Sequence, residues 1–304
     1  MLAPARILLV CACVLSLAGS AGAGGSAPTL PGARSCPLFP PGNVWNQRVD
    51  KLPLRDDSQA LVRAIGLTAN LHPDFSDVGR YGIPYMVVKG SQKKSPVRFE
   101  YADESDKVGY PIPAKPRIEA GSDRHILLVD KDRCKLYELY AAERSNGRWS
   151  AGSGAVWNLR SNKLRPSGWT SADAAGLPIL PGLARYDEVA KGEIRHALRF
   201  TALSTSRAFV YPARHQAGED DPGLPPMGLR VRLKASVAIG RFGPQSRVIL
   251  RALKRYGMIL ADNGSPWYIT GAPHAGWDDD DLHELGELTG ADFEVVDTSR
   301  LRNR

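Results

Sequence analysis

The sequence predicts a mainly β domain, an antiparallel sandwich or jelly-roll-like fold with a few peripheral helices. Three observations carry that prediction. Short runs rich in β-branched and aromatic residues recur between positions 83 and 296, set apart by polar or Gly- and Pro-rich segments. Helical spacing of apolar residues is confined to a few short stretches. Residues 42–304 show no internal repeat and no shift in composition, so they read as one domain.

Taken in order, residues 1–23 read as a secretory signal peptide. Arg6 supplies the positive start, positions 7–18 are apolar, and Ala21-Gly22-Ala23 offers small residues for cleavage. The apolar run is shorter than the roughly 20 residues a membrane span needs. Residues 24–41 are rich in Gly, Ala, Ser and Pro and read as a linker. Asp56-Asp57-Ser58 then caps a helix whose apolar positions continue to Ile65. Strands are predicted at 83–88, 97–101, 125–130, 134–140 and 149–159.

Further strands are predicted at 196–201, 208–211 and 229–237, the last alternating Leu229, Val231, Leu233 against Arg230, Arg232, Lys234. Residues 245–256 form a helix with Pro244 in its first turn and Gly257 as its stop. Residues 258–261 and 267–270 flank Asn263-Gly264, which predicts a hairpin. The acidic run Asp278-Asp279-Asp280-Asp281 lacks the spacing of a calcium loop. It reads as the charged start of a helix over 278–288. A strand at 293–296 closes the domain.

The chain has 304 residues and a formal charge of +8, from 40 Lys plus Arg against 32 Asp plus Glu. For an exported protein that balance points to an extracellular polysaccharide or cell-surface polymer as partner, with no nucleic acid and no membrane span after signal removal. The arginines are scattered and form no polyanion-binding run. Cys11 and Cys13 leave with the signal, and Cys36 and Cys134 remain for one disulfide. The localisation that follows is extracellular or periplasmic.

Candidate chemistry begins with His125 and Glu138, on two strands joined by a short turn. A four-residue loop over 130–133 sets His125 across from Glu138, with Tyr140 on the same face. A three-residue loop over 131–133 sends His125 and Glu138 to opposite faces. In the first register, imidazole, carboxylate and phenol form an acid–base group. His196 occupies the apolar face of Ile194, Leu198 and Phe200, so it needs a partner or a cleft. Asp173 lies in a loop-like Ser-Ala-Asp-Ala-Ala-Gly segment and serves as a second carboxylate or as a turn former. Tyr140, Trp169 and Arg199 are the candidate substrate contacts. No cofactor is predicted. A divalent metal on His125, Glu138 and His196 has suitable ligand chemistry but no motif behind it. Nucleophile-elbow, zinc-helix and phosphate-loop patterns are absent from the sequence.

Tyr85, Pro111-Ile112-Pro113, Trp157-Asn158-Leu159-Arg160-Ser161-Asn162, Pro225-Pro226-Met227-Gly228-Leu229-Arg230 and Lys254-Arg255-Tyr256-Gly257-Met258 form a further set. Across nearly all of residues 42–304, the chain resembles a group of exported bacterial proteins of mostly unassigned function. That resemblance implies a shared fold and export, and it carries over no catalytic residue. The residues themselves point to a secreted protein acting on a carbohydrate polymer. A hydrolase or a lyase would use His125, His196, Glu138 and Asp173, while the alternative is a non-catalytic carbohydrate- or cell-surface-binding protein.

Overall fold

The computed structural model describes residues 26–75 and 81–303. The expected signal peptide lies outside the described residues. In chain order the first elements are β1 (Thr29–Leu30), β2 (Ala33–Pro37), α1 (Ser58–Gly66), β3 (His72–Asp74), β4 (Tyr85–Val88) and β5 (Val97–Phe99). Next come β6 (Ile126–Asp130), β7 (Lys135–Tyr140), β8 (Glu143–Ser145), β9 (Arg148–Ala151) and β10 (Ser153–Asn158). The second half holds α2 (Tyr186–Val189), β11 (Leu198–Ala202), β12 (Arg230–Leu233), α3 (Pro244–Arg255) and β13 (Met258–Asn263). It ends with β14 (Tyr268–Thr270), α4 (Asp279–His283) and β15 (Phe293–Val295).

These strands build several open sheets, and the β-rich character is as the sequence predicts. Four strands run in the order β10-β7-β6-β4, six in the order β15-β12-β13-β11-β14-β3, and three in the order β5-β9-β8. The expected antiparallel pairing gives way to mixed sheets. The pairs β4–β6, β5–β9, β11–β13 and β3–β14 are parallel.

Three apolar layers hold the sheets together. Under the six-stranded sheet, α1 contributes Leu61, Val62 and Ile65, and α3 contributes Val248, Ile249, Leu250 and Leu253. Phe200, Trp267 and Phe293 stack through this layer at centroid distances of 5.6 and 5.1 Å. Each such pair adds about 0.5–1.5 kcal/mol beyond the area it buries. The four-stranded sheet is covered on both faces. Leu127, Val129, Leu136 and Trp157 meet Ile179, Leu180 and Leu183 on one side. Ile126, Leu128, Tyr137 and Leu139 meet Phe99, Tyr110 and Trp149 on the other.

Caps fall where the sequence places them. Pro244 opens α3, and Gly257 ends it at φ +65° while its N–H reaches the Ala252 carbonyl at 3.1 Å. Asp278 caps α4 by accepting from the Asp281 N–H.

Four local expectations are corrected. The stretch read as a linker over 24–41 is structured from Thr29 onward, because Leu30, Leu38 and Phe39 are buried and Cys36 is bonded to Cys134. That bridge spans 98 positions of sequence and is the disulfide the cysteine count predicts. The Asn263-Gly264 turn makes no hairpin, since β11 lies between β13 and β14 and pairs with both. Residues 208–211 form no strand, with only Phe209 bridging to Met227. Arg230, set by the alternation on the polar side of its strand, is buried and donates to the carbonyls of Tyr256, Val44 and Gln47.

Candidate active site

The turn after β6 covers residues 131–134, one pair later than the four-residue loop considered from the sequence. Asp130 faces Lys135 and Leu127 faces Glu138. Continuing that register puts His125 opposite Tyr140, and their ring centroids are 5.7 Å apart. An even-length loop keeps His125, Glu138 and Tyr140 on one sheet face. Ser153 joins them, because β10 pairs it with Tyr140.

The imidazole and the carboxyl on that face are buried and differently held. His125 Nδ1 lies 2.5 Å from Glu119 Oε2, and Nε2 lies 3.0 Å from the Ala172 carbonyl. A carbonyl oxygen can only accept, so Nε2 carries a proton. Burial opposes a charge on this ring, but the Glu119 carboxylate overrides it and raises the pKa to about 8. Glu138 accepts from the N–H groups of Ile179 and Leu180 at 2.9–3.1 Å. Burial nonetheless dominates and pushes its carboxyl to about 7. Its position caps the 3-10 turn Leu180–Gly182 and ties the loop to the sheet.

Across from this face, Asp173 and Arg199 form a bidentate pair. Nε and Nη2 of Arg199 donate to the two carboxylate oxygens at 3.0 and 2.7 Å, and Nη1 donates to Thr270 Oγ1 at 2.5 Å. Asp262 Oδ2 stands 3.7 Å from the same guanidinium. A bulge places it there. The β11–β13 register runs Phe200 to Leu260 and then Thr201 to Asp262, leaving Ala261 as an extra residue. Its carbonyl accepts instead from the Ala175 N–H at 2.9 Å. The extra residue brings Asp262 onto the face that carries Arg199.

The two aspartates differ in access. Asp173 is fully buried, whereas a quarter of the Asp262 side chain remains exposed. Burial, then the adjacent negative charge of Asp173, hold the Asp262 carboxyl well above the usual carboxylate range. Asp262 is therefore the carboxyl of this cluster that is hardest to ionise, while Asp173 is held in the bidentate pair with Arg199.

These groups border a cavity of about 510 Å³. Tyr140 and Ser153 line it from the four-stranded sheet, and Asp262 and Asn263 from the end of β13. Glu104, Asp123, Tyr101 and His215 come from loops. His215 donates from Nδ1 to the Ala174 carbonyl at 2.8 Å. In the neutral ring Nε2 then carries the lone pair, 3.8 Å from Glu104 Oε2.

Of the residues singled out in sequence, the structure gathers His125, Glu138, Asp173, Arg199 and Tyr140 around this cavity. Only Tyr140 of the five lines it. His196 is elsewhere. Its strand begins at Leu198, and its nitrogens meet the Ala197 carbonyl and the Glu188 carboxylate at 2.8 and 2.9 Å, beside Arg185. Arg199 neutralises Asp173 in place of meeting a ligand. The Arg165 guanidinium lies over Trp169, with its carbon 5.5 Å from the ring centroid, and Trp169 does not line the cavity. The metal considered on His125, Glu138 and His196 loses its site with His196. Among the described residues no three His, Cys, Asp or Glu side chains are placed to hold a metal ion.

Asp262, His215, Glu104, Asp123 and Glu119 were not visible as candidates. Asp262 had one signal, a carboxylate ending an apolar strand immediately before Asn-Gly. His215 and Glu104 lie in irregular segments where no periodicity announces a face.

Compared with protein-family models, curated proteins and solved structures, the chain matches none. Among the described residues no helix is long and apolar enough to cross a membrane.

Proposed function

We propose that the protein is an exported hydrolase of glycosidic bonds in a carbohydrate polymer, with Asp262 as general acid and His215 as general base. The observation that carries this reading is the asymmetric Asp173–Asp262 pair. It sets a carboxyl that burial and the neighbouring Asp173 make hard to ionise at the cavity wall, with the Asp173–Arg199 ion pair buried behind it. In the reaction Asp262 gives its proton to the leaving oxygen as the glycosidic bond breaks. Water adds to the sugar carbon and loses a proton to Nε2 of His215. Arg199 holds Asp173 beside Asp262, and the Asp173 charge is one of the causes that favour the proton on Asp262.

The cavity's size falls within the range of small-ligand sites. Tyr101 and Tyr140 offer ring faces, and Thr170 offers a hydroxyl to a polyhydroxylated chain. Glu104 and Asp123 favour hydrolysis over uronate elimination, because a uronate carboxylate would meet like charges there. The Cys36–Cys134 disulfide supports export to an oxidising compartment.

The test is incubation of the disulfide-bonded protein with neutral and acidic polysaccharides, with assay of new reducing ends and ultraviolet-absorbing unsaturated ends. Hydrolysis of a neutral polymer is expected, and Asp262→Asn should slow it by about 10²–10⁴-fold. Unsaturated products would instead make the protein a lyase. Binding without any cleavage would make it a carbohydrate-binding module.

A further inference from the structure

A second surface lies on the far edge of the four-stranded sheet. The strand order leaves β4 unpaired on one side. The Val88 carbonyl accepts from the Lys131 N–H, so Val88 and Met86 direct their backbone groups to β6. The alternation of a parallel ladder then turns the N–H and C=O groups of Tyr85 and Val87 to the open edge. This edge borders a groove of about 670 Å³ whose other wall is the segment from Pro113 to Arg117. The Arg117 N–H contacts Met86 Sδ at 3.2 Å and fixes that wall against the strand.

The groove's charge is one-sided. Lys89, Lys93, Lys115 and Arg117 line it, and no carboxylate does. Among the described residues none of the four takes part in an ion pair. Lysines at a sheet edge can serve simply to discourage pairing between copies. Here, however, they flank a walled groove that runs beside the open edge of β4, and they complement an acidic occupant.

We infer that this groove binds an extended acidic segment of a partner polypeptide as an added strand beside β4. Backbone groups of Tyr85 and Val87 would pair with the segment, and the four cations would meet its alternate carboxylates. The free ladder groups favour a polypeptide over an anionic polysaccharide, which would use the cations alone.

The experiment uses the whole disulfide-bonded protein and a labelled peptide alternating Glu with Val or Thr. Three controls accompany it: the same peptide N-methylated at alternate residues, a lysine-for-glutamate peptide, and a polyuronate. Saturable binding of the acidic peptide is expected, weakening with salt. N-methylation should reduce it by about tenfold or more, since the ladder bonds are lost. The exposed double variant Lys93→Glu/Lys115→Glu should weaken it by a similar factor of about ten. No binding of the acidic peptide overturns the inference. So does equal binding of the N-methylated peptide, or binding of the polyuronate but not the peptide.

Discussion

Glu138 sits where two opposing influences can be weighed by experiment. Two backbone N–H groups favour its ionised form, while complete burial favours the neutral form, and burial wins at about 7 against an ordinary value of 4.5. A carboxyl raised from 4.5 to about 7 corresponds to about 3 kcal/mol of pH-dependent stability. The sign follows from proton counting. Between those two values the folded chain holds a proton that the unfolded chain has lost, so stability falls as pH rises. The contribution is complete below 4.5 and gone above 7. Glu138→Gln keeps an oxygen to accept from Ile179 and Leu180 but cannot ionise. Denaturant unfolding of both proteins should be followed from pH 4 to 8. The variant should gain on the parent by about 3 kcal/mol across that window. A difference that stays flat would refute the reasoning. A difference of opposite sign would mean that the two N–H groups outweigh burial.

Other predictions follow from the same charge cluster and from the covalent framework. Glu119→Gln should drop the His125 titration, followed by imidazole NMR, from about 8 to below the ordinary 6.5, because burial then acts unopposed. In the parent, the His125–Glu119 pair stabilises fully below 6.5 and loses its effect as pH rises through about 8, a change of about 2 kcal/mol. Arg199→Met leaves Asp173 buried without its partner and should cost about 3–5 kcal/mol in a denaturant midpoint assay, while Arg199→Met/Asp173→Asn should be milder. Reduction of the Cys36–Cys134 bridge, which spans 98 positions, should cost about 4–5 kcal/mol by loop entropy, read as a lowered thermal midpoint with reductant. Activity should fade at high pH as Asp262 loses its proton.

Much of the scaffold was legible because burial leaves a period in the sequence. Strands β6, β7 and β12 and helix α3 lie within a residue or a few of their predicted ends. What the sequence obscured was pairing between distant segments. Asn263-Gly264 is a strong local hairpin signal, yet β11, more than fifty residues upstream, inserts between the two strands and takes their ladder bonds. The N-terminal stretch looked like a linker because composition does not show that Leu30, Leu38 and Phe39 have a surface to cover. The site followed the same rule. Asp173 and Glu138 were found as carboxylates in plausible places, but the group that reaches the cavity is Asp262, and a bulge sets its direction. No periodic pattern can announce a residue that breaks the period.

That bulge also frees a backbone carbonyl, and the loop carrying Asp173 uses it. Side chains on a strand alternate between faces, so removing Ala261 would restore a regular register in which Asp262 still pairs with Thr201 on the face of Arg199, while the Ala175 N–H would lose the carbonyl it donates to. Asp173 and Arg199 would remain paired, and the layer beneath could stay filled. In a sequence comparison such a chain would differ by a single gap while retaining every residue of the charge cluster. The change would be felt instead in the loop that carries Asp173, because the bulge carbonyl is what the Ala175 N–H donates to. The bulge residue thus joins the two carboxylates through the backbone, Asp262 by the strand register and Asp173 by the loop that the Ala261 carbonyl holds.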